Sequence, residues 1–353
     1  MSKLKFALMG CGRIVKKHAD ALTSGQLNAE LVAVCDPDKN RAQTVGQAYQ
    51  VPAYPSIQAL CEQHKVDVVC ILTPSGLHAK HTLEVATLKK HVVVEKPMAL
   101  TLTDADAMIR ACDKSGVKLF VVKQNRYNKP VVKLREALEA GRFGQLTLGT
   151  VRVRWCRPQA YYDQDAWRGT WAMDGGVFTN QASHHIDLLE WMMGDVESVF
   201  AKSSTRLVNI EVEDTGVAIL KFKSGALGLI EATTATRPKD LEGSLSILGE
   251  GGTVEIAGFA VNQMKTWNFV TPIAEDADVL KHYSQNPLDV YGFGHAEYLK
   301  NVIDCILHDK KALVDGLEGR RSLELIHAIY ESIESHQEVK LGLKPLHCSL
   351  GIS

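Results

Sequence analysis

A continuous apolar run, Leu4 to Met9, ends on Gly10-Cys11-Gly12 and passes at once into a helical pattern from Arg13 to Ser24. No other feature constrains the fold as tightly. An unbroken apolar run of this kind reads as a strand buried on both faces, the state of a strand in a parallel sheet covered by helices. The alternation continues down the chain. Strand-like runs at Leu31–Cys35, Val66–Leu72, Val92–Glu95 and Lys118–Val122 are separated by helical patterns at Asn40–Tyr49, Ala79–Lys89 and Thr103–Ser115. Strands joined through helices need right-handed crossovers. Residues 1–123 are therefore expected to form an α/β, doubly wound parallel sheet of Rossmann type.

The pattern changes after Lys123. A helix over Pro130–Ala140 is followed by longer strands at Leu146–Trp155, Val196–Leu207, Thr215–Lys223, Ala226–Thr234, Leu245–Leu248 and Thr253–Ile256. Turn signals such as Lys223-Ser224-Gly225 and Glu250-Gly251-Gly252 join neighbours, which implies antiparallel pairing. One helix, Asn180–Met193, interrupts the strands. Thr271–Pro287 reads as a loop, and helices at His295–Leu307 and Ser322–Ser335 follow. Residues 124–353 are expected to be an α+β substrate-binding and oligomerisation domain with a large, mostly antiparallel open sheet. Two domains suit a chain of 353 residues, which is too long for one typical core. Apolar residues on both faces of Ala226–Thr234 point to a second subunit over the outer face, hence a homo-oligomer.

Composition excludes several classes. The formal net charge is -1, which gives nothing for nucleic acid or an acidic membrane to recognise. The first apolar run meets charge too soon for a signal peptide, and no stretch reaches the roughly 18 apolar residues of a membrane span. The eight cysteines are scattered without a C-x-x-C pair, so they read as reduced thiols in a cytoplasmic protein, and no metal is expected.

The glycine turn is a candidate cofactor site. Gly10 permits a tight turn, Gly12 allows close approach of a pyrophosphate, and the following helix offers its N-terminus to the anion; Arg13 and Ile14 stand at that entry. The usual third glycine is replaced by Val15. The second strand ends at Asp36, where a carboxylate can accept hydrogen bonds from ribose hydroxyls and repel a 2′-phosphate, which favours NAD. Asp36-Pro37 could instead be a turn, and Lys39 and Arg41 could offset the repulsion. Two further strand ends, Leu72-Thr73-Pro74-Ser75-Gly76-Leu77-His78 and Val94-Glu95-Lys96-Pro97, fall where open α/β sheets bind ligands. Thr73, Pro74, Ser75, His78, Glu95 and Lys96 are the candidates there.

Oxidation of an alcohol by NAD needs a group that takes the hydroxyl proton. Lys96 could do so if a positive nicotinamide and partial desolvation lowered its pKa; it could also be a surface lysine paired with Glu95. On the later helix, Asn180, His184, Asp187 and Trp191 are spaced by four, three and four residues and share one face. Gly175-Gly176 before them would let the backbone approach a ligand. His184 is the best base candidate by its near-neutral ordinary pKa, against the alternative of a hydrogen-bonded interface histidine.

These residues together resemble the Gfo/Idh/MocA oxidoreductases across essentially the whole chain. The likeness rests on Gly10-Cys11-Gly12-Arg13-Ile14, Asp36, Thr73-Pro74-Ser75 with His78, Glu95-Lys96-Pro97, Gly175-Gly176 with His184 and Asp187, and Val314 to Ser322. It implies that Lys96 and His184 are the catalytic pair and that the assembly is a tetramer before a dimer. The family commonly has Asp four residues before that histidine, where this chain has Asn180. An amide can bond a hydroxyl but cannot take up its proton, so proton removal falls on His184 or Lys96. The run Trp167-Arg168-Gly169 with Trp171 to His185 is similar to a bacterial subgroup that oxidises the 3-hydroxyl of UDP-N-acetyl-D-glucosaminuronic acid for surface polysaccharide. A UDP-linked uronic acid needs cations and flat apolar surfaces. Arg126, Arg154, Arg157 and Arg168, with Tyr127, Tyr161, Tyr162, Trp155 and Trp167, are the candidates. Arg154 and Trp155 adjoin on a strand, so only one can line a given wall. Myo-inositol or another sugar is the alternative substrate.

Overall fold

The computed structural model describes residues 3–284, 294–342 and 348–352. The chain divides into two compact units: Met1–Val122 with His295–Arg321, and Lys123–Gly294 with Ser322–Ser353.

The first unit is a six-stranded sheet of β1 (Leu4–Met9), β2 (Ala29–Cys35), β3 (Ala53–Tyr54), β4 (Val68–Ile71), β5 (His91–Val94) and β6 (Leu119–Val121) in the order β3-β2-β1-β4-β5-β6. Every pair is parallel. Phe6, Ala7, Leu8, Val68, Val69, Cys70, Ile71 and Val92 are fully buried, as strands covered on both faces require. The strand order reverses between β1 and β4, and in such sheets the ligand crevice opens at that switch point. The short β3 and the helix Ile57–Gln63 have no strong periodic signal in the sequence.

His295–Arg321 joins this unit although the sequence reading assigned everything after residue 123 to the second. The reason is edge pairing and packing. Val314 accepts the amide of Val121 at 3.3 Å and Asp315 bridges Phe120 antiparallel to the β6 edge, while His295 stacks edge-on against His18 at 5.5 Å between centroids.

The second unit is built on an eight-stranded sheet of β7 (Leu146–Arg154), β8 (Val196–Ser204), β9 (Thr215–Phe222), β10 (Leu227–Thr233), β11 (Glu242–Gly249), β12 (Gly252–Ala257), β13 (Gln263–Phe269) and β14 (Val339–Lys340). The order is β13-β12-β11-β7-β10-β9-β8-β14. The β7–β10 pair is parallel and the remaining pairs are antiparallel. Strand β13 carries Lys265, Thr266 and Asn268 among its apolar residues and has no clear apolar run in the sequence. The expected loop over Thr271–Pro287 contains two short helical turns, Ala274–Asp278 and Val279–His282; residues 285–287 lie outside the described residues.

The helix expected over Asn180–Met193 is two elements. A π-turn covers Val177–Gln181, closed by the Ala182 amide on the Val177 carbonyl at 2.8 Å, and an α-helix runs Ser183–Met193. This helix is buried nearly all round, Trp191 being the least covered of its residues. Side chains on the inner face of the sheet, including Val151 and Val153, are fully buried. The opposite face carries Leu148, Phe200, Val217, Ile219, Leu227 and Leu229, all exposed. Among the described residues no helix is long and apolar enough to cross a membrane.

Candidate active site

In the first unit the glycine turn, two strand ends and Asp36 come together around the switch point. Gly10 has φ +101°, and a Cβ there would lie 2.8 Å from the carbonyl carbon and oxygen of Leu72 at the end of β4. Only glycine lets β1 and β4 close to this distance. Around Gly12 there is nothing within 4 Å of an added Cβ, so the backbone is open on the side where a phosphate would approach. The helix Val15–Thr23 starts just beyond, with Gly12 and Arg13 exposed and Ile14 half-buried at its N-cap. Asp36 accepts the Cys11 amide at 2.8 Å with one carboxylate oxygen and the Asp38 amide at 2.8 Å with the other. The turn expected of Asp-Pro is present, and it also fixes the carboxylate against the glycine turn. Each oxygen keeps a further lone pair for a ribose hydroxyl. Open glycine backbone, a helix start and an oriented carboxylate fit a dinucleotide.

The two strand ends behave differently from expectation. Thr73 is half-buried, its hydroxyl 2.9 Å from His81 Nδ1. Pro74 opens the turn Ser75–Leu77, and Ser75 is buried. His78, a candidate cofactor contact, is buried with its ring nitrogens 2.7 Å from the Pro97 carbonyl oxygen and 2.8 Å from the Thr73 carbonyl oxygen. It lies between the two strand ends; burial lowers its pKa, and the neutral ring donates to one of the two carbonyls at a time. Glu95 is also turned inward. Its Oε1 lies 2.8 Å from His18 Nε2, and its Oε2 accepts the Lys96 amide at 3.1 Å. Burial pushes this carboxyl up, but His18, His295 and Lys96 outweigh it and hold it at about 2. The Lys96 side chain is half-buried beside a cis Lys96–Pro97 bond.

His18, Glu95 and His295 bring one ligand atom each to within 4.8 Å of one another, a grouping no sequence spacing announced. Two ligands of a tetrahedral ion would stand about 3.3 Å apart, given bonds of about 2.0 Å. The 2.8 Å His18–Glu95 contact is a hydrogen bond.

In the second unit the face formed by His184, Asp187 and Trp191 receives the segment Lys123–Tyr127. Gln124 Nε2 donates to His184 Nε2 at 3.1 Å. Arg126 donates Nε and Nη2 to the two oxygens of Asp187, both at 2.8 Å, and lies 4.8 Å from the centroid of Trp191. Lys123 Nζ reaches Asp187 at 3.6 Å and donates to Ser322 at 2.8 Å. Burial pushes the Asp187 carboxyl up, but the two cations beside it bring it below its ordinary value. Gln124 and Lys123 carry no motif that would have marked them; their role comes from the turn that places them against His184 and Asp187. Tyr127, at the end of the same turn, is half-buried.

Asn180 lies in the π-turn, not on the helix of His184, so the simple spacing argument that put them on one helical face fails. Asn180 donates its side-chain amide to Asp174 and its backbone amide to the Gly176 carbonyl. Gly175 and Gly176 have a reason other than ligand approach. Gly175 has φ +79°, and a Cβ on Gly176 would sit 2.0 Å from a carboxylate oxygen of Glu213.

The arginines expected to meet an anion all hold carboxylates. Arg126 is buried on Asp187. Arg154 forks onto Glu231 at 2.6 and 2.7 Å on the outer sheet face, away from the helix of His184. Trp155 therefore takes the inner side, edge-on to the buried His185. Arg157 pairs with Asp240 at 2.9 Å. Arg168 pairs with Asp165 at 3.0 Å, donates to Tyr161 at 2.9 Å and lies 4.6 Å from the Trp167 ring centroid. Arg168 and Tyr162 line a pocket of about 420 Å³ with Gln159 and Asn209, but Asp163, Asp165 and Glu211 line it too. A pocket with three carboxylates and one arginine does not suit a diphosphate.

Residues 4–123 match the model of an oxidoreductase family with an NAD-binding Rossmann fold, and residues 131–255 match the GFO/IDH/MocA C-terminal domain. The chain is 31% identical over 345 residues to the myo-inositol 2-dehydrogenase of Thermotoga maritima, covering 96% of this chain and 98% of that one. Among solved structures it is similar to the WlbA dehydrogenase of Bordetella pertussis in complex with NADH and UDP-GlcNAcA: 45% identity, TM-score 0.93, 97% of this chain and 99% of that one. The WlbA dehydrogenase of Chromobacterium violaceum, with the same two ligands, gives 44% identity and TM-score 0.90 over 98% and 97%. In sequence and in fold this chain belongs to the Gfo/Idh/MocA oxidoreductases, as an NAD-dependent sugar dehydrogenase.

Proposed function

We propose that the protein oxidises the 3-hydroxyl of UDP-N-acetyl-D-glucosaminuronic acid to the ketone, supplying a keto-sugar for diacetamido-uronic acids of surface polysaccharide. The observation that carries this is the 44–45% identity over nearly the whole chain to two dehydrogenases solved with NADH and UDP-GlcNAcA. Bound NAD supplies the hydride acceptor. The chain's own groups move the proton and orient the sugar. His184 takes the hydroxyl proton at Nε2, which in this state accepts from Gln124, so the substrate hydroxyl displaces that amide. Lys96, just beyond β5, supplies an ammonium group as the other member of the proposed catalytic pair. Asn180 donates to or accepts from a neighbouring hydroxyl but carries no proton away. Asp36 selects NAD.

The second reading, oxidation of myo-inositol, is favoured by the 31% identity to a myo-inositol 2-dehydrogenase over 98% of its length. NADH formation with the UDP-uronate, UDP-N-acetylglucosamine and myo-inositol run side by side separates the two. Turnover of the uronate alone supports the first reading; turnover of inositol alone discards the nucleotide sugar and keeps the residues' roles.

The outer sheet face is the proposed subunit interface. Leu148 is registered with Leu227, and Ile219 with both Leu229 and Phe200, so the exposed apolar side chains form one continuous patch. A patch of this kind on a soluble protein marks a contact surface. Its occupant is a second copy of this chain.

A further inference from the structure

We propose that Glu213 is a positioning residue for the substrate side of the reaction: it holds the π-turn Val177–Gln181 in place and through that turn sets Asn180 and the start of the helix of His184. The proposal rests on the roles given above to Asn180 and His184.

Glu213 lies just before β9 and is buried. It grips the turn twice. Its backbone carbonyl accepts the Val177 amide at 3.0 Å, and its Oε1 accepts the Phe178 amide at 3.1 Å. These amides open the turn, where a helical segment has donors without internal partners. Tyr330 completes the arrangement. Its hydroxyl donates to Glu213 Oε1 at 2.9 Å and accepts from the Gly176 amide at 3.2 Å and the Thr179 hydroxyl at 2.9 Å. The carboxylate and the phenol thus hold Gly176, Phe178 and Thr179, and the Glu213 carbonyl holds Val177 between them. The residue after Thr179 is Asn180, and three beyond it, at Ser183, the α-helix begins. The 2.0 Å clearance at Gly176 shows how closely the carboxylate is fitted.

The other oxygen, Oε2, has no hydrogen-bond partner among the described residues. A buried carboxylate with one free oxygen has a natural place for a proton. Burial pushes the group up to about 7, opposed by the Phe178 and Glu213 amides and by Tyr330, and assisted by Asp174. The groups around it are few. Asp174 faces it from the loop before the turn, Tyr330 from the helix Gly316–Ser335, and the buried Cys348 thiol lies near it from the C-terminal segment. The neighbouring Asp214 uses its Oδ2 on the amides of Arg206 and Leu207. Ionised, Glu213 makes charge-assisted bonds to the turn; protonated, it makes ordinary ones, which are weaker by roughly half. Burial costs the ionised form more than these bonds return, as the raised pKa shows, so the hold on Asn180 loosens as pH rises through neutrality.

The test is Glu213→Gln, which keeps the shape and the Oε1 acceptor and makes the group permanently neutral. At about pH 8 the KM of the wild type for the sugar should exceed that of the variant on the order of ten-fold, with the KM for NAD unchanged. At about pH 6, where the wild type is itself protonated, the two KM values should converge. Stability should move the same way. A folded pKa above the ordinary 4.5 means that the protonated group's contribution is full below that value and is lost as pH rises through about 7, so the Tm of the variant should gain on the wild type toward high pH. A KM ratio independent of pH, or a parallel loss of NAD and sugar affinity, overturns the proposal. The KM is measured for whichever sugar the wild type oxidises, so failure of the UDP-uronate does not touch it. Should none be oxidised, hydrogen exchange at the Val177 and Phe178 amides replaces it: protection should fall from about pH 6 to about pH 8 in the wild type and stay flat in the variant, and equal profiles overturn the proposal.

Discussion

At the scale of single residues the chemistry rests on few side chains. His184→Ala should lower kcat by roughly 10²- to 10⁴-fold, the range for loss of a positioned base, while binding of NAD in equilibrium titration is retained. Retained turnover would remove His184 from the mechanism and leave Lys96 as the base. Asp36→Ala should raise the KM for NAD and improve use of NADP, because it removes both the ribose acceptor and the charge that repels a 2′-phosphate. A variant with unchanged NAD/NADP preference would mean that the Asp36 carboxylate serves the Cys11 amide and nothing more. Asp187 carries a different load. Removing its charge leaves Lys123 and Arg126 buried together, so Asp187→Asn should cost about 3–5 kcal/mol, read as a fall in Tm.

Elements are held by buried polar links that no periodicity reveals. Glu95 ties the helix Val15–Thr23, through His18, to the end of β5. Its folded pKa of about 2 lies below the ordinary 4.5. The contribution is therefore full above 4.5 and is lost as pH falls toward 2, amounting to at most about 3 kcal/mol. Acid unfolding followed by circular dichroism should show this slope in the wild type and a flatter one in Glu95→Gln. The π-turn is a second case. Gly176→Ala would press a methyl group into Glu213, and a stability loss of several kcal/mol is expected. A fully stable alanine variant would show that the Glu213 side chain can move aside.

For the molecule as a whole, the proposed subunit interface on the outer face of the eight-stranded sheet can be tested directly. Ile219 is 57% exposed and central to the apolar patch. Ile219→Glu should leave the fold intact by circular dichroism and convert an oligomer to a smaller species in sedimentation. A wild type that already sediments as a monomer would remove the reason given for that face.

The strands and helices of the first unit were readable from the sequence because strands buried on both faces must be continuously apolar, and glycine marks their ends. Gly10, Gly12, Asp36 and the Lys96 segment lie within that pattern, so their grouping around the β1–β4 switch point could be anticipated. The long strands of the second unit, β13 excepted, were equally legible, from alternation and turn chemistry. What the sequence does not encode locally is which partner each polar side chain will meet. His78 and Glu95 were read as cofactor contacts and are buried clamps. Arg126 and Arg154 were read as anion binders and are paired with Asp187 and Glu231. His295–Arg321 returns to the first unit through β6. Spacing along a helix cannot foresee a π-turn either, and that turn exists because Glu213 and Tyr330, from distant parts of the chain, accept or bridge its amides. Propensity and periodicity are properties of neighbouring residues. The pairing of buried charges is a property of residues brought together only when the chain has folded.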